Sequence, residues 1–233
     1  MTPMQSAPNE HAITRDALLN GSFLLRARSI PGVSALTDEQ LERSLDEAMA
    51  SRPHGDEVWL FAYGSLIWNP AFDYEDRVGA SVTGWQRSFC LSAPFGRGTP
   101  EHPTLFLALD KGGEVNGVAY KLPKGRERDE LLLVWRREMF ASGYQAKWVK
   151  IQKSSGECWA ITFVANTISS TYEGQLSPEA VSERLRKAEG PLGSGIEYLY
   201  DTIRHLEELG LDDMSLNKIK RLIDRHTAAI DHS

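Results

Sequence analysis

Apolar and polar residues recur with two different periods along this chain, and the change of period divides it. Between residues 58 and 122 the apolar positions fall in short runs closed by glycine, the pattern of strands. These runs are 58–63, a longer 80–91 bent or bulged at Gly84, and the pair 104–109 and 115–122. The last two flank Asp110-Lys111-Gly112-Gly113, a hairpin signal. The period then becomes helical over 128–142, where Leu131, Val134, Trp135 and Glu138 recur at i, i+3, i+4 and i+7. Gly143 stands where a left-handed cap would end that helix. Two further strands, 145–152 and 158–164, surround Ser154-Ser155-Gly156.

The remainder reads as helices. Ser177-Pro178 is an N-cap with proline at the first helical position, leading a helix over 179–189 that Gly190-Pro191 ends. Ile196, Leu199, Tyr200, Ile203, Leu206 and Leu209 form a second stripe stopped by Gly210, and Ser215 caps a last helix carrying Leu216, Ile219, Leu222 and Ile223. Ahead of the strands, 11–28 holds one short helix, and Thr37 with Gln40 forms a capping box opening a helix to about 51. The breaker cluster at 51–56 separates a partly helical N-terminal extension, 1–55, from a main domain, 56–233. Strands followed by helices, with one helix inserted between strands, indicate an α+β domain and not a parallel βαβ sheet.

Charge and composition narrow the partners. The 233 residues include 32 acidic and 26 basic side chains, a net charge of −6, which disfavours nucleic acid. The dense basic cluster Lys218, Lys220, Arg221 and Arg225 reads as a solvated helix face. No apolar run approaches the roughly 18 residues of a membrane span, and the first residues lack the basic and apolar regions of a secretory signal. A cytoplasmic protein with no membrane partner is expected. The two cysteines, Cys90 and Cys158, read as buried thiols in a reducing compartment. The six histidines show no ligand spacing, and no metal is expected.

Candidate chemistry begins with Glu138. A carboxylate within an apolar stripe is costly unless it is hydrogen-bonded or neutral, and desolvation raises its pKa toward that of a useful general base. Two readings stand: a structural ion pair with Arg136 or Arg137, or a catalytic base. The turn in Phe61-Ala62-Tyr63-Gly64-Ser65-Leu66-Ile67 either leads into an aromatic core or forms a nest of N–H groups that binds a carboxylate. Arg97, between Gly96 and Gly98, is either an exposed loop cation or a bidentate clamp for a carboxylate. Tyr144 is a core aromatic or a hydrogen-bond donor to a ligand or to Glu138. The loop Gly190-Pro191-Leu192-Gly193-Ser194-Gly195 reads as a helix–helix turn, and His205 as a structural or surface histidine.

Taken in order, the stretches 58–68, Gly84-Trp85-Gln86-Arg87-Ser88-Phe89, Arg97-Gly98-Thr99-Pro100, Gly117-Val118-Ala119-Tyr120, Arg137-Glu138-Met139 and Gly190-Pro191-Leu192-Gly193 resemble the bacterial branch of the ChaC family. The resemblance covers about 58–216 and leaves the first fifty residues without a counterpart. One position departs: Thr104 follows Pro103 where the family often has glycine. The resemblance implies a γ-glutamylcyclotransferase-like fold, a mixed and partly closed β-sheet or barrel with an inserted catalytic helix and C-terminal helices. It implies a glutathione-specific γ-glutamylcyclotransferase, a lyase with glutathione as its small-molecule substrate, no cofactor, and a monomeric state. Glu138 would be the catalytic proton acceptor. The loop Ala62, Tyr63, Gly64, Ser65, Leu66 and Ile67 would bind the γ-glutamyl end; Arg97 and Tyr144 are added as substrate contacts from the reading of the residues themselves. The alternatives are a cyclotransferase for other γ-glutamyl amino acids or amines, and a non-catalytic regulatory binding protein on the same fold.

Overall fold

A computed structural model describes residues 12–231. The expectations placed on residues 1–11, the first residue of the N-terminal helix and the missing secretory signal, lie outside the described residues.

Five strands close into a barrel. They are β1 (Trp59–Ala62), β2 (Asp76–Ala93), β3 (Thr104–Lys121), β4 (Tyr144–Lys153) and β5 (Gly156–Ala165), in the order β1-β3-β2-β4-β5. Closure comes from a parallel pairing of β1 with β5, Trp59 opposite Ala160 and Leu60 opposite Ile161. All four residues of β1 are buried, which is why this strand reads as an unbroken apolar run and not as an alternation. Gly117 of β3 lets β1 lie close, since a Cβ there would sit 2.3 Å from the Ala62 carbonyl oxygen.

The expected hairpin at 110–113 is not a turn. β3 runs unbroken through it, paired with β2 on both sides: Thr83 faces Glu114 and Trp85 faces Lys111. Gly84 therefore opposes Gly112 and Gly113, and all three take left-handed φ values of +83°, +125° and +59°. The glycines form a shared bulge that bends both long strands, as a small barrel requires. Local turn chemistry and a bulge draw on the same residues, and only the partner strand distinguishes them.

α4 (Glu127–Glu138) connects β3 to β4. It stops at Glu138, four residues before the expected 142, and Gly143 does not take a left-handed φ. The cause is the sheet: Tyr144 already pairs with Ala165, and the Gly143 carbonyl accepts from Asn166 N at 2.9 Å. The outer face of α4 is covered by α1 (Arg15–Leu19), α2 (Ser22–Arg28) and α3 (Asp38–Ala50). Within 11–28, where one short helix is expected, two form, separated at Gly21, where φ is +75°. The Thr37–Gln40 capping box forms as expected. Arg15 forks onto the buried carboxylate of Glu130 at 2.6 and 2.8 Å, Trp135 Nε1 donates to Ser44 Oγ at 3.0 Å, and Leu36 N donates to the Phe140 carbonyl at 2.7 Å.

The C-terminal part supplies α5 (Pro178–Lys187), a hairpin of β6 (Glu189–Gly190) and β7 (Gly193–Ser194), α6 (Gly195–Glu208) and α7 (Met214–Asp231). Ser177 caps α5 with Pro178 at its start. The loop expected as a helix–helix turn is thus a two-stranded hairpin, Glu189 facing Ser194. Ser215 is not the cap of the last helix. Asp213 is: its Oδ1 accepts from Ser215 N at 3.0 Å and Leu216 N at 3.1 Å. Lys218, Arg221 and Arg225 are exposed on α7, as a solvated face requires. Cys90 is buried, but Cys158 is only half-buried on β5, a correction to the expectation of two buried thiols.

Thr104, at the start of β3, is fully buried, and its hydroxyl has no hydrogen-bond partner among the described residues. An unpaired buried hydroxyl costs about 1–3 kcal/mol. Thr104→Val keeps the branched shape and removes that cost. It is expected to stabilise the fold by about 1 kcal/mol, read as a rise of about 2–4 °C in the thermal midpoint for a chain of this size.

Candidate active site

β1 delivers the chain to one end of the barrel and breaks there. The glycine after Tyr63 opens a turn of 3-10 helix, Ser65–Ile67, closed by Ile67 N on the Gly64 carbonyl at 2.9 Å. Tyr63, Gly64, Ser65 and Leu66 line one side of a cavity. Leu107 of β3, Phe163 of β5, Tyr144 of β4, Tyr198 of α6 and Glu138 at the end of α4 complete it. Its volume is about 20 Å³, room for roughly one water. A roomier surface groove of about 530 Å³ involves Glu101, His102, Glu173, Glu183, Arg184 and Lys187. Its charges are largely spent on each other: Arg184 pairs with Glu173, and Lys187 with Glu183. The smaller cavity is the candidate chemical site because it holds a buried carboxylate.

Glu138 is 14% exposed, and its Oε1 accepts from Arg137 Nε at 2.9 Å. Burial raises its carboxyl above the ordinary glutamate value, and the Arg137 charge and hydrogen bond only partly offset this. Glu138 is therefore ion-paired, as the first reading has it, and it also keeps the raised proton affinity that the second reading would need. The partner is Arg137, while Arg136 turns away to the Leu18 carbonyl at 2.8 Å. Arg137 also donates through Nη2 to Ser65 Oγ at 2.7 Å and through Nη1 to the Asn69 carbonyl. One guanidinium thus ties the end of α4 to the loop after β1.

Three phenols close the cavity. Tyr63 OH donates to the Phe163 carbonyl at 2.6 Å, and Tyr144 OH to the Leu107 carbonyl at 2.8 Å. Burial, reinforced by neighbouring groups including Glu138, pushes both well above the usual phenol value. Tyr198 is pushed to about 12 by burial and then by Glu138. All three are neutral donors at any ordinary pH, which leaves Glu138 as the candidate base of the cavity. Tyr144 thus spends its proton on the backbone, not on Glu138.

A ChaC-like protein family model matches residues 58–226. The chain belongs to the ChaC-like family. It is 36% identical, over 89% of its own length and 90% of the relative's, to the glutathione-specific γ-glutamylcyclotransferase of Escherichia coli (strain K12). It is 31% identical to the human glutathione-specific γ-glutamylcyclotransferase 1, over 65% of this chain and 72% of the relative. The crystal structure of a yeast γ-glutamyl cyclotransferase specific to glutathione superposes with a TM-score of 0.66 at 18% identity, covering 73% of this chain and 99% of that one. That match shows the γ-glutamylcyclotransferase fold. The Escherichia coli match spans more of the chain than residues 58–233 supply. It therefore reaches into the N-terminal helices, which the motif resemblance left without a counterpart.

Within this ChaC-like fold, six of the nine expected site residues or their immediate loop meet at the cavity: Tyr63, Gly64, Ser65, Leu66, Glu138 and Tyr144. Ala62 and Ile67 are buried beside the loop and do not line it. Arg97 does not line it either. It donates to the Ser194 carbonyl at 3.0 Å, pairs with Glu197 at 3.5 Å and Asp201 at 3.7 Å, and lies 5.7 Å from the Tyr198 ring centroid. The Arg97 loop and the 190–195 hairpin pack backbone to backbone, since a Cβ on Gly190 would lie 2.5 Å from the Gly96 carbonyl oxygen. His205 stacks on Trp68 with centroids 5.3 Å apart, a structural role. Sequence reasoning missed Leu107, Phe163 and Tyr198 as wall residues. Leu107 and Phe163 sit in apolar runs whose pattern is the same whether the side chain faces a core or a cavity, and Tyr198 falls outside the stripe of 196–209 yet is buried on the same helix.

Proposed function

We propose that this ChaC-like chain is a glutathione-specific γ-glutamylcyclotransferase that splits glutathione into 5-oxoproline and cysteinylglycine. The observation that carries the reading is Glu138, a buried carboxylate of raised proton affinity opening onto a cavity walled by the loop Tyr63–Leu66. The name borne by the Escherichia coli relative at 36% identity supports the substrate. In this reading the α-ammonium of the γ-glutamyl group gives its proton to Glu138. The freed amine nitrogen attacks the γ-carbonyl carbon and closes a five-membered lactam. The bond from that carbon to the cysteine nitrogen breaks as Glu138 delivers its proton to that nitrogen, and the second proton of the attacking nitrogen follows through the same carboxylate, so that the lactam nitrogen keeps one hydrogen and cysteinylglycine leaves as the ammonium. No protein nucleophile is needed, and holding the folded-back substrate supplies much of the rate because the attack is intramolecular. Backbone N–H groups of residues 63–66 hold the α-carboxylate and the carbonyl oxygen as charge develops. Arg97 acts from behind Tyr198, holding the 190–195 hairpin and the Tyr198 ring in place.

The test is to incubate the purified protein with glutathione, and in parallel with γ-glutamyl-alanine, following 5-oxoproline and the released amine. Release of 5-oxoproline and cysteinylglycine from glutathione, with γ-glutamyl-alanine untouched, is the expected result. Turnover of γ-glutamyl-alanine in preference to glutathione would replace the glutathione reading with a broader cyclotransferase.

A further inference from the structure

Against the candidate loop, and not among the residues that line the cavity, lies a buried guanidinium that the reaction above does not use. Arg87 projects from β2 with its side chain only 2% exposed. Its Nε donates to the Tyr63 carbonyl at 2.6 Å, its Nη2 to the Asn116 carbonyl at 2.6 Å, and its Nη1 to the Asp213 carboxylate. Partners on all three nitrogens of a rigid planar group leave it no freedom to turn. We infer that Arg87 is a positioning residue that sets the Tyr63–Gly64 peptide plane for catalysis, and that Asp213 holds Arg87 in place.

The argument is geometric. In a trans peptide the carbonyl and the following N–H point in opposite directions. Drawing the Tyr63 oxygen onto Arg87 turns the Gly64 N–H to the opposite side of the peptide, and Gly64 is one of the residues that border the cavity. A charged donor on the carbonyl also polarises the peptide, strengthening that N–H as a donor. Asp213 is placed to do this from a distant part of the chain. One of its oxygens caps α7 through Ser215 N and Leu216 N, and the other takes Arg87. Burial pulls the Arg87 guanidinium below its ordinary value, and Asp213 works against that loss. The C-terminal helix is in this way coupled to the backbone of the substrate loop through two side chains.

The inference rests on the proposed cyclotransferase reading for its kinetic consequence, but its structural part is tested without substrate. Arg87→Lys keeps the charge but cannot span three acceptors, and Asp213→Asn keeps an oxygen for the α7 cap while losing the charge. In the 15N-labelled full-length protein, the Gly64 amide resonance, assigned by its loss in Gly64→Ala, is expected to move in both variants, with cooperative thermal unfolding retained. For glutathione turnover, kcat is expected to fall about 100-fold, as when one donor to a developing oxyanion is mis-aimed. KM should change much less, and the acid limb of the pH profile, which reports Glu138, should stay in place. An unmoved Gly64 amide overturns the inference whatever the substrate proves to be. So does a kcat that stays near wild type, or a loss confined to KM. If the wild-type protein fails to turn over glutathione, the function reading falls and the amide alone decides the positioning.

Discussion

Replacing Glu138 by glutamine is expected to lower glutathione turnover by about 10²–10⁴-fold, the usual contribution of a positioned general base. Glutamine is nearly the same size and keeps an oxygen to accept from Arg137 Nε, the 2.9 Å contact of the native pair. The cavity and its ligand contacts should therefore survive, and glutathione binding by calorimetry should remain close to wild type. Stability should move the other way. Burial raises the Glu138 carboxyl above its ordinary value, so ionising it in the folded state costs more than in the unfolded chain. That cost is absent below the unfolded value near 4.5, grows as pH rises through the interval up to the folded value, and is constant above it. Glu138→Gln removes it, so the variant should melt higher than wild type at neutral pH and show no advantage in acid. The same raised value places the acid limb of kcat/KM above the ordinary glutamate range, since only the ionised form accepts the proton. Unchanged turnover by the variant would mean that Glu138 is a structural ion pair and that the chain binds without catalysing.

Much of this was legible in the residues, and the parts that were not share a cause. Glu138 stood out because a helical period put a carboxylate among Leu131, Val134 and Trp135, and burial with a raised proton affinity follows from that placement. In the sequence Gly84 reads as a bend or bulge, and Gly112-Gly113 as the turn of a hairpin that does not form. Only the first was read as a bulge, because a bulge is defined by what lies across the sheet. The end of α4 was misplaced for a similar reason: the pairing of Tyr144 with Ala165 pulls the chain out of helix before Gly143 can cap it. Ser215 looked like a cap by residue type, and Asp213 took the role because its carboxylate also answers a buried arginine on β2. Arg97 looked like a free cation between two glycines, yet its partners, Ser194, Glu197 and Asp201, lie about a hundred residues on. Periodicity records which faces are buried. It does not record which buried residues from distant elements meet, and the cavity wall of Leu107, Phe163 and Tyr198 is made of such meetings.

Arg137→Met is expected to be the most damaging single change at the site, and its effect should depend on pH. Arg137 is 4% exposed and holds Glu138, Ser65 and the Asn69 carbonyl together. Removing one partner of a buried pair leaves the other charge uncompensated, a loss of about 3–5 kcal/mol. Methionine fills much of the space, so the deficit is electrostatic more than steric. Without Arg137, the one influence that lowers the Glu138 carboxyl is gone. Its value should climb further, and the acid limb of any residual activity should shift to higher pH. The destabilisation should be smallest in acid, where Glu138 is neutral, and greatest above its new value. Arg137→Met combined with Glu138→Gln removes the stranded charge along with its partner. The double variant should recover most of the lost stability, giving a coupling energy well outside the additivity expected of independent sites. Equal and pH-independent losses in the single and double variants would mean that Arg137 serves the fold through Ser65 and Asn69 alone, and that Glu138 owes nothing of its state to it.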